Sequence, residues 1–303
     1  MLCAQSKVYA ALLYAVKIVT IMAIEETKMT FTDTRQDVSQ LVKEAATQNG
    51  KLVDYPRSFA SKSEMKDFYE AYGYITLKNI IPSELLAEIR NDLTAIFSEY
   101  STTKDDPVDS AILSLDKSDK PKLYELHIAT SKCVSFKATS AFFSGLLKGI
   151  SGSDVPVLEI ASGWLISIAK DRRLVYDFHQ ESNYMKGFGN IFNVHYPLFR
   201  TSTLDNGTMS ILPGSHHYGT LSFSKSRISN DSYTDLIPTD IDEITSELPE
   251  LHCYLELGDV VIFHKDLIHK SNFNGSSLCR PVGVSRFTQS LQGDWTSRKP
   301  DEL

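Results

Sequence analysis

The residues with the clearest chemical potential are His179 and Glu181, separated only by Gln180. In extended backbone, residues i and i+2 project to the same side, so this spacing sets an imidazole beside a carboxylate. A second histidine would complete a set of two neutral nitrogens and one carboxylate on one face of a metal. That set suits Fe(II), because the opposite face keeps positions for a co-substrate and O2. The pair carries little weight alone. With 8 His and 38 acidic residues in 303 positions, roughly one His-x-acid pair arises by chance. His264-Lys265-Asp266 is a second such pair, and both His264 and His269 are available as the distal nitrogen.

Such a constellation needs strands to hold it, and the second half of the chain supplies them. From Pro156 onward short apolar runs alternate with turns, at 156–161, 163–168, 191–196, 208–212, 253–257, 259–264 and 281–289. Spacing of this kind, with Asn-Gly, Pro-Gly and Gly-Asp turns, predicts a sandwich or jelly roll. Residues 222–250 are polar, rich in Ser and Asp and without a clear strand pattern, and are expected to form a lid over the barrel mouth. The first 150 residues read mostly as helices. Residues 36–48 and 63–72 are amphipathic, with Gly73 as the C-terminal stop of the second. A strand at 74–78 follows, then a helix from Pro82 whose stripe is Leu85, Leu86, Ile89, Leu93, Ile96 and Phe97. Residues 101–121 read as a polar loop with one helical turn, and 141–150 as a closing helix. The expected organisation is a leader over 1–30 and one domain over 31–295, with a C-terminal tail at 291–303. Within the domain, helical support covers 31–152 and the β core 153–290.

Composition narrows the function classes. A net charge of -7 provides no basic field for nucleic acid. The four cysteines (Cys3, Cys133, Cys253, Cys279) are scattered without a CxxC pair and read as free thiols of a reducing compartment. Residues 8–24 are apolar apart from Lys17, which leaves runs of nine and seven residues. Neither run reaches the roughly 20 residues of a membrane span. The leader is an extension upstream of Met22 or Met29, a docked amphipathic helix or a targeting segment. The terminal Pro-Asp-Glu-Leu has Pro where a retrieval signal has Lys. The cytoplasm is the expected location.

Three longer stretches carry a family resemblance: FHQESNYMKGFGNIFNVHYPLF from Phe178, DNGTMSILPGSHHYG from Asp205, and LGDVVIFHKDLIHKSNFNGSSLCRPVGVSRF from Leu257. In order and spacing they resemble the phytanoyl-CoA dioxygenase family of Fe(II)/2-oxoglutarate-dependent oxygenases, over about residues 63–290. The resemblance implies an α+β fold, mainly β with a helical N-terminal half. Its core would be a double-stranded β-helix (jelly roll, cupin-like) flanked by helices. It selects His269 over His264 and so implies His179, Glu181 and His269 as the catalytic iron ligands. It implies Arg280, eleven residues after His269, as anchor of the distal carboxylate of 2-oxoglutarate, with Arg286 the competitor at even spacing or else an external salt bridge. Ser271 matches a residue that donates to 2-oxoglutarate, and Gln180 follows the first ligand as usual in the family. His195 stands where relatives commonly have Trp beside the co-substrate, and the resemblance sets Lys122 against a basic residue touching it. Tyr184 is expected near the mouth.

The family's usual Asp is Glu181 here, and keeping a carboxylate points to hydroxylation rather than halogenation. The implied reaction consumes 2-oxoglutarate and O2 on Fe(II), forms succinate and CO2, and hydroxylates a C–H bond of a small organic substrate. Desaturation, epimerisation or ring closure by a same-family oxygenase is the alternative, and an inactive jelly-roll binding protein a further one. Lys170, Arg172 and Arg173 form a basic cluster that reads as a solvated loop, and Phe188, Phe192, Tyr196 and Phe199 as core more than pocket.

Overall fold

The computed structural model describes residues 38–152, 157–173, 175–186, 188–227 and 234–289. The expected leader over 1–30 and tail over 291–303 lie outside these residues. The chain divides into two units, residues 1–44 and 45–303. In the first, residues 38–44 are helical, and the strand β1 (Ala46–Gln48) begins the second where the amphipathic pattern had predicted continued helix.

Two five-stranded sheets form the β core. One contains β3 (Tyr74–Leu77), β4 (Val157–Ser167), β5 (Asn190–Pro197), β10 (Val260–His264) and β12 (Arg280–Gln289), in the order β3-β10-β5-β12-β4. The other runs β1-β2-β9-β6-β11, with β2 (Lys51–Asp54), β6 (Met209–Ile211), β9 (Leu251–Cys253) and β11 (His269–Ser271). All pairings are antiparallel except β2 with β9. This is the double-stranded β-helix, in an α+β setting. β4 is one strand where two runs were expected, and its register against β12 shifts at a bulge between Arg286 and Phe287.

Alternation along the strands decides what each sheet face does. On β5, Phe192, Val194 and Tyr196 belong to the large core together with Val260 and Ile262 of β10 and Phe287 of β12. Those side chains meet the helices α1 (Lys62–Tyr72), α2 (Ser83–Phe97), α3 (Pro107–Ser118), α4 (Lys120–Thr130) and α5 (Val134–Ser151). Leu86, Ile89, Leu93 and Phe97 of α2 and Phe136, Phe143 and Leu147 of α5 are buried there. Burying each such side chain is worth about 1.5–3 kcal/mol. The intervening residues, Asn193 and His195 on β5 and Val261 and Phe263 on β10, therefore face the other sheet.

Two expectations of local structure are corrected, a loop over 101–121 and the lack of strands in 222–250. Residues 101–121 hold α3 and the start of α4 rather than a loop. Asp106 accepts from the Asp109 amide at 3.2 Å and Asp119 from the Lys122 amide at 3.0 Å, and each helix has Pro in its first turn. The acidic and Pro residues that look like loop are the helix starts. Residues 222–250 contain a hairpin, β7 (Phe223–Arg227) with β8 (Thr234–Pro238), and the helix α6 (Ile241–Glu247). Ile244 and Leu248 pack with Phe178, and the Leu236 amide donates to the Tyr184 hydroxyl at 3.0 Å. The insertion is thereby fastened on both sides of His179.

Candidate metal centre

His179 enters from a bridge to His269 on β11, with mutual backbone hydrogen bonds of 3.0 and 3.1 Å. Gln180 is extended, and Glu181 opens a one-turn helix. The i, i+2 relation thus places imidazole and carboxylate together although no full strand forms. One ligand atom each from His179, Glu181 and His269 lies within 4.8 Å of the others, and all three residues are buried. No other such group of His, Cys, Asp or Glu occurs among the described residues.

The histidine tautomers follow from their partners. Nδ1 of His179 lies 2.6 Å from the Asp177 carbonyl, and Nδ1 of His269 lies 2.9 Å from the Leu267 carbonyl. A carbonyl can only accept, so both Nδ1 atoms carry a proton, and both rings turn Nε2 toward the site. Burial, with His269 alongside, pushes His179 down to about 4, so its imidazole is neutral near pH 7. Burial would raise the Glu181 carboxyl, but Arg286 and His269 outweigh it and hold the group well below the usual carboxylate range. Two imidazoles and one carboxylate, preset in direction, fit Fe(II).

His264 is not part of this group. It shares a face of β10 with Val260 and Ile262, near Tyr69 and His216 on the helix side. The turn between β10 and β11 then brings His269 inward, where its ring lies 4.6 Å from that of Phe263.

The register gives the order of inward residues along the sheet. Phe263, Asn193 and Arg286 form one rung, and Val261, His195 and Val284 the next. Pro197 and Val282 follow, and Arg280 pairs with Ser167 beyond them. Arg286 lies at Glu181, His195 midway, and Arg280 at the far end. Burial and the nearby Arg286 push His195 down to about 3, leaving a neutral ring.

The two arginines differ in their partners. Arg286 donates from Nε to Oε2 of Glu181 and from Nη2 to Oε1, both at 3.2 Å. Its bond to a site carboxylate was foreseeable only in part, from its even spacing with Arg280; the salt bridge is internal. Arg280 is buried and donates to the backbone carbonyls of Asn206 (3.0 Å) and Gly207 (2.5 Å). Among the described residues it has no ion pair, and burial lowers its pKa to about 10. Gly207, at φ +80°, presents this turn; a Cβ there would lie 2.6 Å from the Asn272 carbonyl. The amide of the preceding residue, Cys279, donates to Asp109 of α3 at 2.5 Å, and Arg200 binds both Asp109 and the Cys279 carbonyl. Sequence reading missed this brace, because nothing in the spacing of Asp109 and Cys279 reveals it.

Ser271 follows His269 on the same side of β11, while Lys270 turns outward to Glu250 at 2.9 Å. Gln180 turns away from its two neighbours. Its Nε2 donates to the carbonyls of Gly219 and Asp266 at 2.9 and 2.7 Å, and its Oε1 accepts from the Leu221 amide. Lys122 sits on α4, paired with Glu125 at 3.1 Å and above the Tyr100 ring. In the basic cluster Arg173 binds Asp116 and Asp171, and Arg172 stacks on Phe273. Tyr184 stands edge-on to His179, at a centroid distance of 5.7 Å.

A jelly roll with a His, Glu, His group between its sheets and a buried arginine farther along the inward face of β12 defines the class of non-haem iron, 2-oxoglutarate-dependent oxygenases. The family model for Phytanoyl-CoA dioxygenase (PhyH) matches residues 69–282, and the chain belongs to that family. A "Probable phytanoyl-CoA dioxygenase" of Caenorhabditis elegans is 23% identical over 268 residues, covering 78% of this chain and 83% of that protein. Among solved structures, EvdO2 from Micromonospora carbonacea var. aurantiaca superposes with a TM-score of 0.53 at 16% identity, over 79% of this chain and 94% of that one. Its complex with 2-oxoglutarate gives 0.50 at 16% identity, over 74% and 89%. The non-heme monooxygenase ThoJ, without ligand, gives 0.50 at 17% identity, over 74% and 77%. These likenesses show the fold. Among the described residues no helix is long and apolar enough to cross a membrane.

Proposed function

We propose that His179, Glu181 and His269 hold Fe(II), that Arg280 grips the distal carboxylate of 2-oxoglutarate, and that the protein hydroxylates a C–H bond of a small organic substrate. When bound, the iron and its co-substrate supply the oxidising chemistry, with 2-oxoglutarate and O2 converted to succinate and CO2. The observation that carries this reading is Arg280. A guanidinium removed from water without a carboxylate partner is costly, and an anion of the right length offsets that cost. The inward face of β12 between Arg286 and Arg280, alongside His195 of β5, is where such an anion would lie.

The chain's own residues then divide the work. The Asp177 and Leu267 carbonyls fix both imidazoles with Nε2 toward the metal. The Asn206-Gly207 turn aims the Arg280 fork, whose planar donors match a carboxylate. Ser271 supplies a hydroxyl to the same anion. His195, neutral, offers a donor or acceptor along its length, while Val282 and Val284 keep water from it. Gln180 ties together the loops around the two ligands, and Lys122 is a surface residue with no part in co-substrate binding. Cys133, Cys253 and Cys279 are free thiols, which supports a reducing compartment, the cytoplasm.

The test is turnover. Protein purified without O2 and supplied with Fe(II), 2-oxoglutarate and air should form succinate slowly even without a prime substrate, and His179→Ala should abolish it. Bound iron with no succinate under any substrate would instead indicate a binding module. The mass of the product separates hydroxylation, which adds one oxygen, from desaturation, epimerisation or ring closure.

A further inference from the structure

Glu181 is one methylene longer than the aspartate usual at its position, so its carboxylate has an additional torsion to immobilise and can turn both oxygens toward one ion. Arg286 meets it as a fork, with Nε on Oε2 and Nη2 on Oε1, each at 3.2 Å. Oε1 is also the oxygen facing His269, 3.7 Å from its Nε2. Two parallel N–H···O bonds of this kind use the lone pairs that point between the carboxylate oxygens. Those are the lone pairs a chelated metal would use. Arg286 lies past residue 282, where the match to the family model ends, so the pair is read from this chain.

We infer that Arg286 is a positioning residue that makes Glu181 a one-oxygen ligand, by occupying the side of the carboxylate through which both oxygens would otherwise chelate the metal. This rests on the iron reading of the site. Its consequence falls on the co-substrate. A carboxylate held to one oxygen leaves adjacent positions for 2-oxoglutarate, which binds through two of its own atoms; a chelating Glu181 would compete with it. Arg286 has a second effect, because its charge offsets that of Glu181. Lysine retains the charge but not the fork, so Arg286→Lys separates the two.

The experiment measures, without O2, Fe(II) affinity, 2-oxoglutarate affinity and the visible charge-transfer absorption of the Fe(II)·2-oxoglutarate chelate. The proteins are wild type, Arg286→Lys, Arg286→Gln, Glu181→Asp and Glu181→Asp/Arg286→Lys, with thermal melts of each metal-free protein. Both Arg286 single variants should bind Fe(II) within about threefold of wild type or tighter. Their 2-oxoglutarate dissociation constants should rise roughly tenfold or more, with matching loss of absorption, a cost typical of residues that orient metal ligands. With Asp at 181 the carboxylate is withdrawn from the fork, and adding Arg286→Lys should cost no more than about twofold. Wild-type behaviour of Arg286→Lys overturns the inference and leaves charge as the only role. So does an undiminished tenfold cost in the Asp background, or equal loss of Fe(II) and 2-oxoglutarate binding in both single variants. A wild-type protein that binds Fe(II) but never develops the absorption overturns the oxygenase reading, and the inference with it.

Discussion

Arg280 and Arg286 lie on one face of one strand six residues apart, yet among the described residues Arg286 is paired with a carboxylate and Arg280 only with backbone carbonyls. The lone cation is the one suited to take an incoming anion. Replacing it with lysine keeps the charge and loses the fork, and a charged hydrogen bond is worth about 1.5–3 kcal/mol, roughly 10–150-fold in affinity. Arg280→Lys should therefore weaken 2-oxoglutarate binding by that factor in calorimetric titration while Fe(II) affinity stays near wild type. The co-substrate should also raise the melting temperature of the wild type more than that of the variant. Lys122→Ala is the contrasting case, expected to leave 2-oxoglutarate affinity within about twofold, because its ammonium is committed to Glu125. A tenfold loss there would restore Lys122 to the site. At this scale much was legible in the chain. The His179/Glu181 spacing shows its geometry directly, since i, i+2 in extended backbone is nearly independent of context. The choice of His269 over His264 depends on which way a four-residue turn carries the chain, and local spacing alone does not decide that. The Arg286 bond to Glu181 joins residues 105 positions apart, a separation across which side-chain pairing leaves no mark in the sequence.

Strand periodicity gave away most of the β core, because alternation is imposed by the pleat and by one buried face. The helices of 107–130 escaped notice because their starts are written in Asp and Pro, residues shared with loops; the Asp106 and Asp119 caps become visible only with their amide partners in place. The hairpin in 222–250 was hidden for a related reason, since its exposed strand residues Ser224 and Lys225 have no apolar alternation to display. β12 is the element on which the candidate site depends most, as it carries both arginines. Its Gly283 faces the buried Tyr196 ring, and a Cβ there would lie 2.1 Å from Tyr196 Cζ. Tyr196 is fully buried and packs on Phe143 at 5.3 Å, so it has little room to withdraw. Overpacking of this kind costs about 1–3 kcal/mol. Gly283→Ala should lower stability to urea by that amount and, by displacing β12, weaken 2-oxoglutarate binding as well. An unchanged urea midpoint would mean that the strand and ring can part without cost.

The molecule as a whole places neutral histidines in buried surroundings on both faces of one sheet, and this couples its stability to pH. His264 is on the helix side, away from the three ligands; burial pushes it down to about 4, against the pull of Asp266. His216 beside it is held well below its usual value by burial and by His217 and His264. In the unfolded chain each histidine titrates near 6.5. Above that pH both states are neutral and the groups make no difference. Between about 6.5 and 4 the unfolded chain takes up protons that the folded chain refuses, so stability falls on acidification by up to about 1.4 kcal/mol per pH unit for each group. Below the folded value the loss levels off. The metal-free protein should therefore lose stability steadily from pH 7 to 5 in urea titrations. His264→Asn tests the assignment, since the asparagine oxygen can still accept the Asp266 amide hydrogen bond that Nδ1 accepts at 3.1 Å but cannot be protonated. Its stability should decline less steeply with acid than that of the wild type, by about one proton's worth of slope. Parallel curves for the two proteins would show that His264 takes up its proton in the folded state as readily as in the unfolded one.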